Sequence, residues 1–253
     1  MVKRTELDKY LSELLETRDF KDYCPNGLQV EGKDEIKKVA FSVSATIDSI
    51  TQAQNFGADA LIVHHGLFWS YQSGKTITGP FHKRIAPLIK NEMNLFAYHL
   101  PLDAHLELGN AAGIANKLGL TKLKPFGDHK GSPTGVQGTF KKAITPAELE
   151  AQLTTLLNHK ITYAGPTNSK IQSLGIITGG ANNDWPMALQ AGLDAYLTGE
   201  ISEYNWHDAQ EAGIHYFAGG HHATERFGVQ NLMEHLQTKF KIKCLFIDSA
   251  NPA

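Results

Sequence analysis

The sequence is poor in cysteine: its 253 residues include only Cys24 and Cys244, and neither belongs to a C-x-x-C pair. This disfavours a disulfide-stabilised secreted fold and a thiolate-bound metal cluster. We expect a cytoplasmic, reducing setting in which both cysteines act as small buried apolar residues. No apolar run approaches the ~18 residues that cross a bilayer, and the N-terminal segment lacks the apolar core of a secretory signal, so no membrane partner is expected.

The chain also lacks an excess of charge of either sign. It has 24 lysines and arginines against 26 aspartates and glutamates. No basic stripe with interleaved aromatic residues is present, so nucleic acid is not an expected partner. One short basic stretch is interpreted as a solvated loop, and it contains Lys122, Lys124, His129 and Lys130.

Common nucleotide and hydrolase motifs are absent as well. There is no G-x-x-x-x-G-K-[ST] loop, no G-x-G-x-x-G after a strand and no G-x-S-x-G elbow. A Gly-Gly turn at 178–181 follows an apolar strand, but such turns are common and carry little information about phosphate binding. The 12 histidines, several of them at the ends of apolar runs, are the more informative residues.

Alternating apolar strands and amphipathic helices predict an α/β fold. The apolar runs predict strands near 39–45, 59–65, 95–99, 134–140, 171–178, 193–198, 214–218 and 242–248. Helical spacing and capping residues predict helices near 5–15, 47–56, 80–91, 109–118, 182–191, 202–212 and 224–239, and another that opens at Thr145-Pro146. The polar stretch 121–133 contains proline and glycine and is interpreted as a boundary between two lobes.

A short internal repeat supports this division. Gly57-Ala58-Asp59-Ala60-Leu61 resembles Gly192-Leu193-Asp194-Ala195-Tyr196, at an offset of 135 residues (194 − 59). The same offset lays the strand 39–45 on 174–180 without a gap. We therefore predict two similar α/β lobes, 1–125 and 126–253, whose strand ends face one cleft. The segment from about 229 to 253 is expected to pack back on the first lobe.

Histidines and carboxylates follow three of the predicted strands. His64 and His65 end one strand, the segment HLPLDAH (99–105) follows a second, and GGHHATE (219–225) follows a third. Ligands in open α/β sheets bind beyond the carboxyl ends of strands, so these segments together predict a metal site in the cleft. Imidazole and carboxylate ligands without a thiolate suit Fe, Zn, Mn or Ni.

The spacing favours two metal ions. If a helix starts near His221, then His221 and Glu225 lie four residues apart on one face. His64 and His65 would point to opposite faces of a continuing strand. They can both be ligands if the backbone turns there, or if each serves a different ion and a carboxylate bridges the two ions.

Simpler roles for some of these residues stay open. Asp103 would cap the helix that begins near Gly109, or a turn before it. Glu225 would complement the dipole of a helix N-terminus. His105 and His222 are surplus to the site and are interpreted as solvent-facing or supporting groups.

The motifs resemble those of the NIF-three-like family, whose bacterial members are labelled GTP cyclohydrolase I type 2 homologues. The strings that carry the resemblance are PNGLQVEG (25–32), GADALIVHHG (57–66), HLPLDAH (99–105), LTGE (197–200), GHHATER (220–226) and IDSANPA (247–253). The resemblance implies a dinuclear metal site with Glu225 bridging two divalent ions. The ligands it implies are His64, His65, Asp103, His221 and Glu225.

The resemblance also implies two similar α/β lobes and a ring-shaped homohexamer, a trimer of dimers, in a compact form without an extra domain between the lobes. Cyclohydrolase activity is attributed to some members of the family, so we expect a metal-dependent hydrolase with a small-molecule substrate. His99 and Glu200 are the candidates for acid–base work, or else hydrogen-bond partners of the ligands. The alternative is a metal-binding or metal-handling ring-shaped scaffold without turnover.

Overall fold

The computed structural model describes residues 1–72, 74–166 and 169–253, which divide into two units. Unit 1 comprises Met1–Leu102 and Gly228–Ala250, and unit 2 comprises Asp103–Phe227 and Asn251–Ala253. Each unit has its own large β-sheet with helices, which confirms the α/β fold class. No helix in the described part of the chain is both long and apolar enough to cross a membrane.

The elements are numbered in chain order. The strands are β1 Val2–Lys3, β2 Gly27–Val30, β3 Glu35–Ile36, β4 Lys38–Ser44, β5 Ala60–His65, β6 Asn94–Ala97, β7 Thr121–Phe126, β8 Gly135–Ile144, β9 Thr162–Ala164, β10 Ile171–Ile176, β11 Ala195–Thr198, β12 His215–Ala218 and β13 Lys243–Phe246. The helices are α1 Arg4–Leu14, α2 Ile47–Phe56, α3 Gly79–Lys90, α4 Leu100–Ala104, α5 Asn110–Lys117, α6 Pro146–Leu157, α7 Trp185–Gln190, α8 Glu203–Ala212, α9 His221–Thr224 and α10 Arg226–Phe240.

The sheet of unit 1 has the strand order β13-β4-β5-β6-β2. β13, β4, β5 and β6 run parallel, and β2 closes one edge antiparallel to β6. The central strands β4, β5 and β6 are almost completely buried, which explains their continuous apolar sequences. Thr46 begins α2 with a capping box shared with Ser49, and Gly57 ends it in the left-handed conformation at φ 72°.

The sheet of unit 2 has the strand order β7-β8-β10-β11-β12-β9. β10, β11 and β12 run parallel at its centre, while β8 and β9 flank them antiparallel. Helix α6 begins with a capping box between Thr145 and Glu148, as the Thr-Pro signal predicted. In both units, the parallel strands place the segments that follow them at the carboxyl end of a sheet.

The strand registers are consistent with the internal repeat. In unit 1, Val39 pairs with Ala60 across β4 and β5. In unit 2, Leu174 pairs with Ala195 across β10 and β11. Both partners of the second pair lie 135 residues beyond those of the first (174 − 39 and 195 − 60), so the sequence offset is also an offset of strand register.

The aspartate of the repeat accepts equivalent main-chain hydrogen bonds in both units. Asp59 Oδ2 accepts hydrogen bonds from the main-chain nitrogens of Lys37 and Lys38, at 2.9 and 3.1 Å. Asp194 Oδ2 accepts them from Gln172 and Ser173, at 2.9 and 2.8 Å. Each carboxylate therefore satisfies donors at the start of the preceding strand, which explains why the G-x-D-A pattern recurs.

We expect Asp194→Ala to destabilise the protein by about 1–3 kcal/mol, because two main-chain donors and the Ser173 hydroxyl lose their shared acceptor. Asp194→Asn, which keeps one acceptor oxygen, should lose less. Urea denaturation measures both, with the exposed Asp208→Ala of α8 as the control that changes stability by no more than about 0.5 kcal/mol. Equal stability of Asp194→Ala and Asp208→Ala would contradict the capping role.

The sequence missed several short strands, of which β7 is the most instructive. Residues 121–133 were interpreted as a polar boundary, but β7 covers the first six of them and pairs with β8 at a sheet edge. Its lysines and Pro125 are exposed, which is characteristic of an edge strand. Because the strand has no run of apolar residues, a search for apolar patterns does not predict it.

The division into units also differs from the lobe boundary predicted near residue 125. Unit 2 starts at Asp103, since α5 packs against β7 and β8. Gly228–Ala250 belong to unit 1, where β13 pairs with β4.

Candidate metal centre

His64 and His65 stand at the carboxyl end of β5, and neighbouring strands on opposite sides hold their rings. The Nδ1 atom of His64 lies 3.0 Å from the carbonyl oxygen of Tyr98, just beyond β6. The Nδ1 atom of His65 lies 3.0 Å from the hydroxyl of Ser44, at the end of β4. A carbonyl can only accept, so the Nδ1 atom of His64 is the donor in this contact.

The two rings do not diverge as an extended strand suggested, because their centroids are only 4.6 Å apart. His99, which follows β6, joins them: its ring centroid is 5.0 Å from that of His64 and 5.7 Å from that of His65. These three residues offer ligand atoms that lie within 4.8 Å of one another. Unit 1 alone thus assembles three imidazoles, a donor set that suits a divalent transition metal.

Asp22 anchors His99 and was not predicted from the sequence. Its carboxylate accepts from His99 Nδ1 at 2.7 Å, and its side chain is only 3% exposed. Burial alone would raise the pKa of Asp22, but the hydrogen bond and charge of His99 outweigh it, with help from Asn26, and lower that pKa to about 2. The carboxyl therefore stays ionised at neutral pH.

Cys24 lies beside this pair, because Asp22, Cys24 and His99 also offer ligand atoms within 4.8 Å of one another. Cys24 is buried, as the sequence predicted, whereas Cys244 is only partly buried, and neither forms a disulfide. Partial burial raises the pKa of the Cys244 thiol to about 11.

In unit 2, His221 lies between two carboxylates. Its Nδ1 atom is 2.6 Å from Glu200 Oε1, and its Nε2 atom is 3.2 Å from Glu225 Oε1. The sequence predicted a helix from about residue 224, but a separate short helix, α9, starts at His221. Under that condition the spacing of four residues brings His221 and the buried Glu225 together. Glu200, by contrast, is half exposed and holds the opposite side of the ring.

The carboxylates also change the proton affinity of His221. Burial lowers the pKa of this imidazole, but the hydrogen bonds and charges of Glu225 and Glu200 more than compensate and raise the pKa to about 9. Without a metal, His221 is therefore protonated at neutral pH. A metal ion bound at Nε2 would have to displace that proton.

Asp103 is buried at the start of unit 2. Its Oδ1 atom accepts hydrogen bonds from the side chains of Asn110 at 2.8 Å and Thr178 at 3.0 Å. The N-cap residue of α5 is Gly109, which has no side chain to cap the helix, and Asp103 contacts the first residue of that helix through the Asn110 side chain. Asp103 and Glu225 offer oxygens within 4.8 Å of each other, so unit 2 brings together two carboxylates and one imidazole.

His105 and His222 have other surroundings. His105 Nδ1 accepts hydrogen bonds from the main-chain nitrogens of Glu107 and Leu108, at 3.2 and 3.1 Å, so its lone pair is used locally in a turn. His222 is buried, and its main-chain nitrogen donates to the carbonyl oxygen of Ala253.

We expect His105→Ala to lower stability by about 1 kcal/mol, as for the loss of a helix cap, without changing the amount of bound metal. His105→Asn offers a side-chain oxygen to the same donors and should recover part of the loss. Thermal unfolding and elemental analysis measure the two effects separately. Loss of metal from both variants would instead make His105 a ligand.

Known proteins resemble this chain over its whole length. A family profile described as Duf34/NIF3 (NGG1p interacting factor 3) matches residues 2–252. The chain is 42% identical over 251 residues to a Vibrio cholerae protein named GTP cyclohydrolase 1 type 2 homolog, and the match covers 98% of both chains.

Two solved structures also resemble the whole chain. A protein named ybgI, described as of unknown function, has a TM-score of 0.92 and 39% identity, with 100% of both chains covered. A crystal structure of a protein from Thermus thermophilus has a TM-score of 0.91 and 31% identity, again with 100% of both chains covered. The likeness therefore extends over both units rather than over one of them.

Proposed function

Because this chain belongs to the Duf34/NIF3 family, as its motifs predicted, we propose that it binds two divalent metal ions and hydrolyses a small-molecule substrate. The family resemblance implies five ligands for these ions, one of which, Glu225, would bridge them. They are His64, His65, Asp103, His221 and Glu225. Fe, Zn, Mn and Ni all suit this set of nitrogen and oxygen donors.

The observation that carries this proposal is the way the imidazoles are held. His64, His65 and His221 each have Nδ1 within 3.0 Å of a protein oxygen: a carbonyl, a hydroxyl and a carboxylate, respectively. Histidines that bind metals are commonly oriented by such a bond on the nitrogen opposite the metal. In each of these rings Nε2 is then the nitrogen that would bind a metal ion, and in His221 it lies 3.2 Å from an oxygen of Glu225, another proposed ligand.

The protein's own groups would then divide the work. Bound metal ions would supply an activated water, since they lower the pKa of coordinated water from ~15.7 towards ~7. Tyr98, Ser44 and Glu200 would orient the ligand imidazoles through the Nδ1 bonds described above. His99 would accept or return a proton. Glu200, the other candidate for acid–base work, is instead hydrogen-bonded to His221 at 2.6 Å.

The names of the relatives support GTP as the first compound to test, since several are named GTP cyclohydrolase 1 type 2 homolog. The test is the full chain loaded with each of the four metals and offered GTP, other nucleotides and phosphoesters. We expect turnover that Glu225→Gln abolishes and that Asp48→Asn, an exposed change on α2, leaves intact. Bound metal without turnover of any compound would contradict the hydrolase and favour the metal-handling scaffold.

We also propose that the chain assembles into a homohexamer, as the family resemblance implies. Light scattering of the purified protein should then give a mass of about six times the 27.8 kDa of one chain. A monomeric or dimeric mass at micromolar concentration would contradict the proposed ring.

A further inference from the structure

Asp22 makes an unusually complete set of hydrogen bonds for a residue in a loop. Oδ1 accepts from His99 Nδ1 at 2.7 Å and from the main-chain nitrogen of Tyr23 at 2.5 Å. Oδ2 accepts from Asn26 Nδ2 at 2.8 Å and from the main-chain nitrogen of Leu100 at 3.0 Å. The carboxylate is therefore fixed on both oxygens, and its orientation toward His99 is not adjustable.

His99 is held just as firmly from the same loop. Its main-chain nitrogen donates to Asn26 Oδ1 at 2.8 Å, while its ring donates to Asp22. The ring also packs against Trp69, with centroids 5.1 Å apart and an angle of 84° between the planes. The backbone and the ring of His99 are thus both constrained.

The acceptor distinguishes His99 from the two imidazoles beside it. Neutral oxygens hold His64 and His65, whereas a buried carboxylate holds His99. A carboxylate stabilises the positive charge that an imidazole gains when it takes up a proton, which a carbonyl or hydroxyl does less well. Asp22 would therefore stabilise the His99 ring while it carries a transferred proton.

We propose that Asp22 is a positioning residue that fixes His99 in the tautomer with the proton on Nδ1 and so keeps the Nε2 lone pair available as a proton acceptor. The tautomer follows from the contacts within unit 1, whereas the use of the lone pair rests on the hydrolase proposed above. In that reaction an O–H bond of the attacking water breaks as its oxygen bonds to the electrophilic atom of the substrate. The proton passes to Nε2 and later to the leaving atom, so His99 ends as it began.

Asp22→Asn is the informative substitution, because it keeps the shape and removes one acceptor. The main-chain nitrogens of Tyr23 and Leu100 cannot become acceptors, but the His99 ring can, by moving its proton to Nε2. An asparagine whose amide faces His99 would therefore select the opposite tautomer. Asp48→Asn is the matched control, since Asp48 is exposed and contacts Gln52 on α2.

Nitrogen-15 NMR of the full chain, metal-free and then with Zn²⁺, reports the tautomer directly, with His99→Gln used to assign the signals. We expect Nδ1–H in the wild type and in Asp48→Asn, and Nε2–H in Asp22→Asn. A wild-type ring with its proton on Nε2 would overturn the proposal, and this result does not require the variant to fold.

Steady-state kinetics test whether the Nε2 lone pair of His99 accepts a proton during the reaction. With a substrate found in the panel, Asp22→Asn should lower kcat by about 10²-fold or more while KM changes little, because substrate contacts are untouched. An unchanged kcat with the altered tautomer would overturn proton transfer by His99. Absence of turnover in the wild type would sink the hydrolase, while the NMR result would still decide the role of Asp22.

Discussion

Glu225→Gln should weaken metal binding by at least about 100-fold. Changes to residues that merely support a ligand typically cost 10–100-fold, and Glu225 is proposed as a ligand of both ions. The side chain is buried beside His221 and within 4.8 Å of an Asp103 oxygen, so a neutral amide would leave this site one negative charge short. Competition of the protein with a chelating dye for Zn²⁺ measures the change.

Glu234→Gln provides the matched control for this loss, because Glu234 is exposed on α10. It removes the same charge from the chain and should leave the affinity for Zn²⁺ unchanged. If Glu225→Gln and Glu234→Gln bind Zn²⁺ equally well, Glu225 is not a ligand. If both weaken it equally, overall charge rather than ligation explains the affinity.

Gly179→Ala should impair the same site by a different route. Gly179 has φ 68°, where a side chain is strained, and a Cβ atom there would collide with Glu225 Oε1 and lie 3.2 Å from His221 Nε2. The carboxylate would have to move. We expect about 10–100-fold weaker Zn²⁺ binding, in addition to a loss of stability of about 1 kcal/mol.

Substitutions at two other glycines separate the loss of stability from the loss of Zn²⁺ binding. Gly192 has nearly the same backbone angle, φ 67°, but a Cβ atom there would meet nothing within 4 Å. Gly192→Ala should therefore lose similar stability without losing metal. At Gly180 the nearest atoms would be 3.6 Å away, an ordinary contact, so Gly180→Ala should change Zn²⁺ affinity little. Equal Zn²⁺ affinity in all three variants would show that Glu225 does not need its present position.

The sequence predicted the central strands and their connections because their signals are local. β4, α2 and β5 combine buried apolar runs with a Thr46 cap and a Gly57 stop, and each signal lies within a few residues of the element it specifies. The spacing of His221 and Glu225 was equally informative, since a short helix does place them together. Edge strands such as β7 lack an apolar face and were missed.

The supporting residues of the site were missed for a different reason. Asp22 and His99 are 77 residues apart, and Ser44 and His65 are 21 apart. Their pairing depends on which strands become neighbours and in what register, and a single sequence contains no pattern for that. The histidines themselves were visible because they follow apolar strands, but the groups that orient their rings could be identified only from the fold.

The central claim is that the chain holds two metal ions. Elemental analysis tests it directly by measuring the metal content of the wild type, of His64→Ala in unit 1 and of Asp103→Ala in unit 2, each purified as the full chain without added metal or chelator. We predict two divalent ions per chain in the wild type and a marked loss of metal in both variants, because each substitution removes a ligand. Wild-type protein without metal, or variants that both retain two ions per chain, would contradict the proposed dinuclear centre.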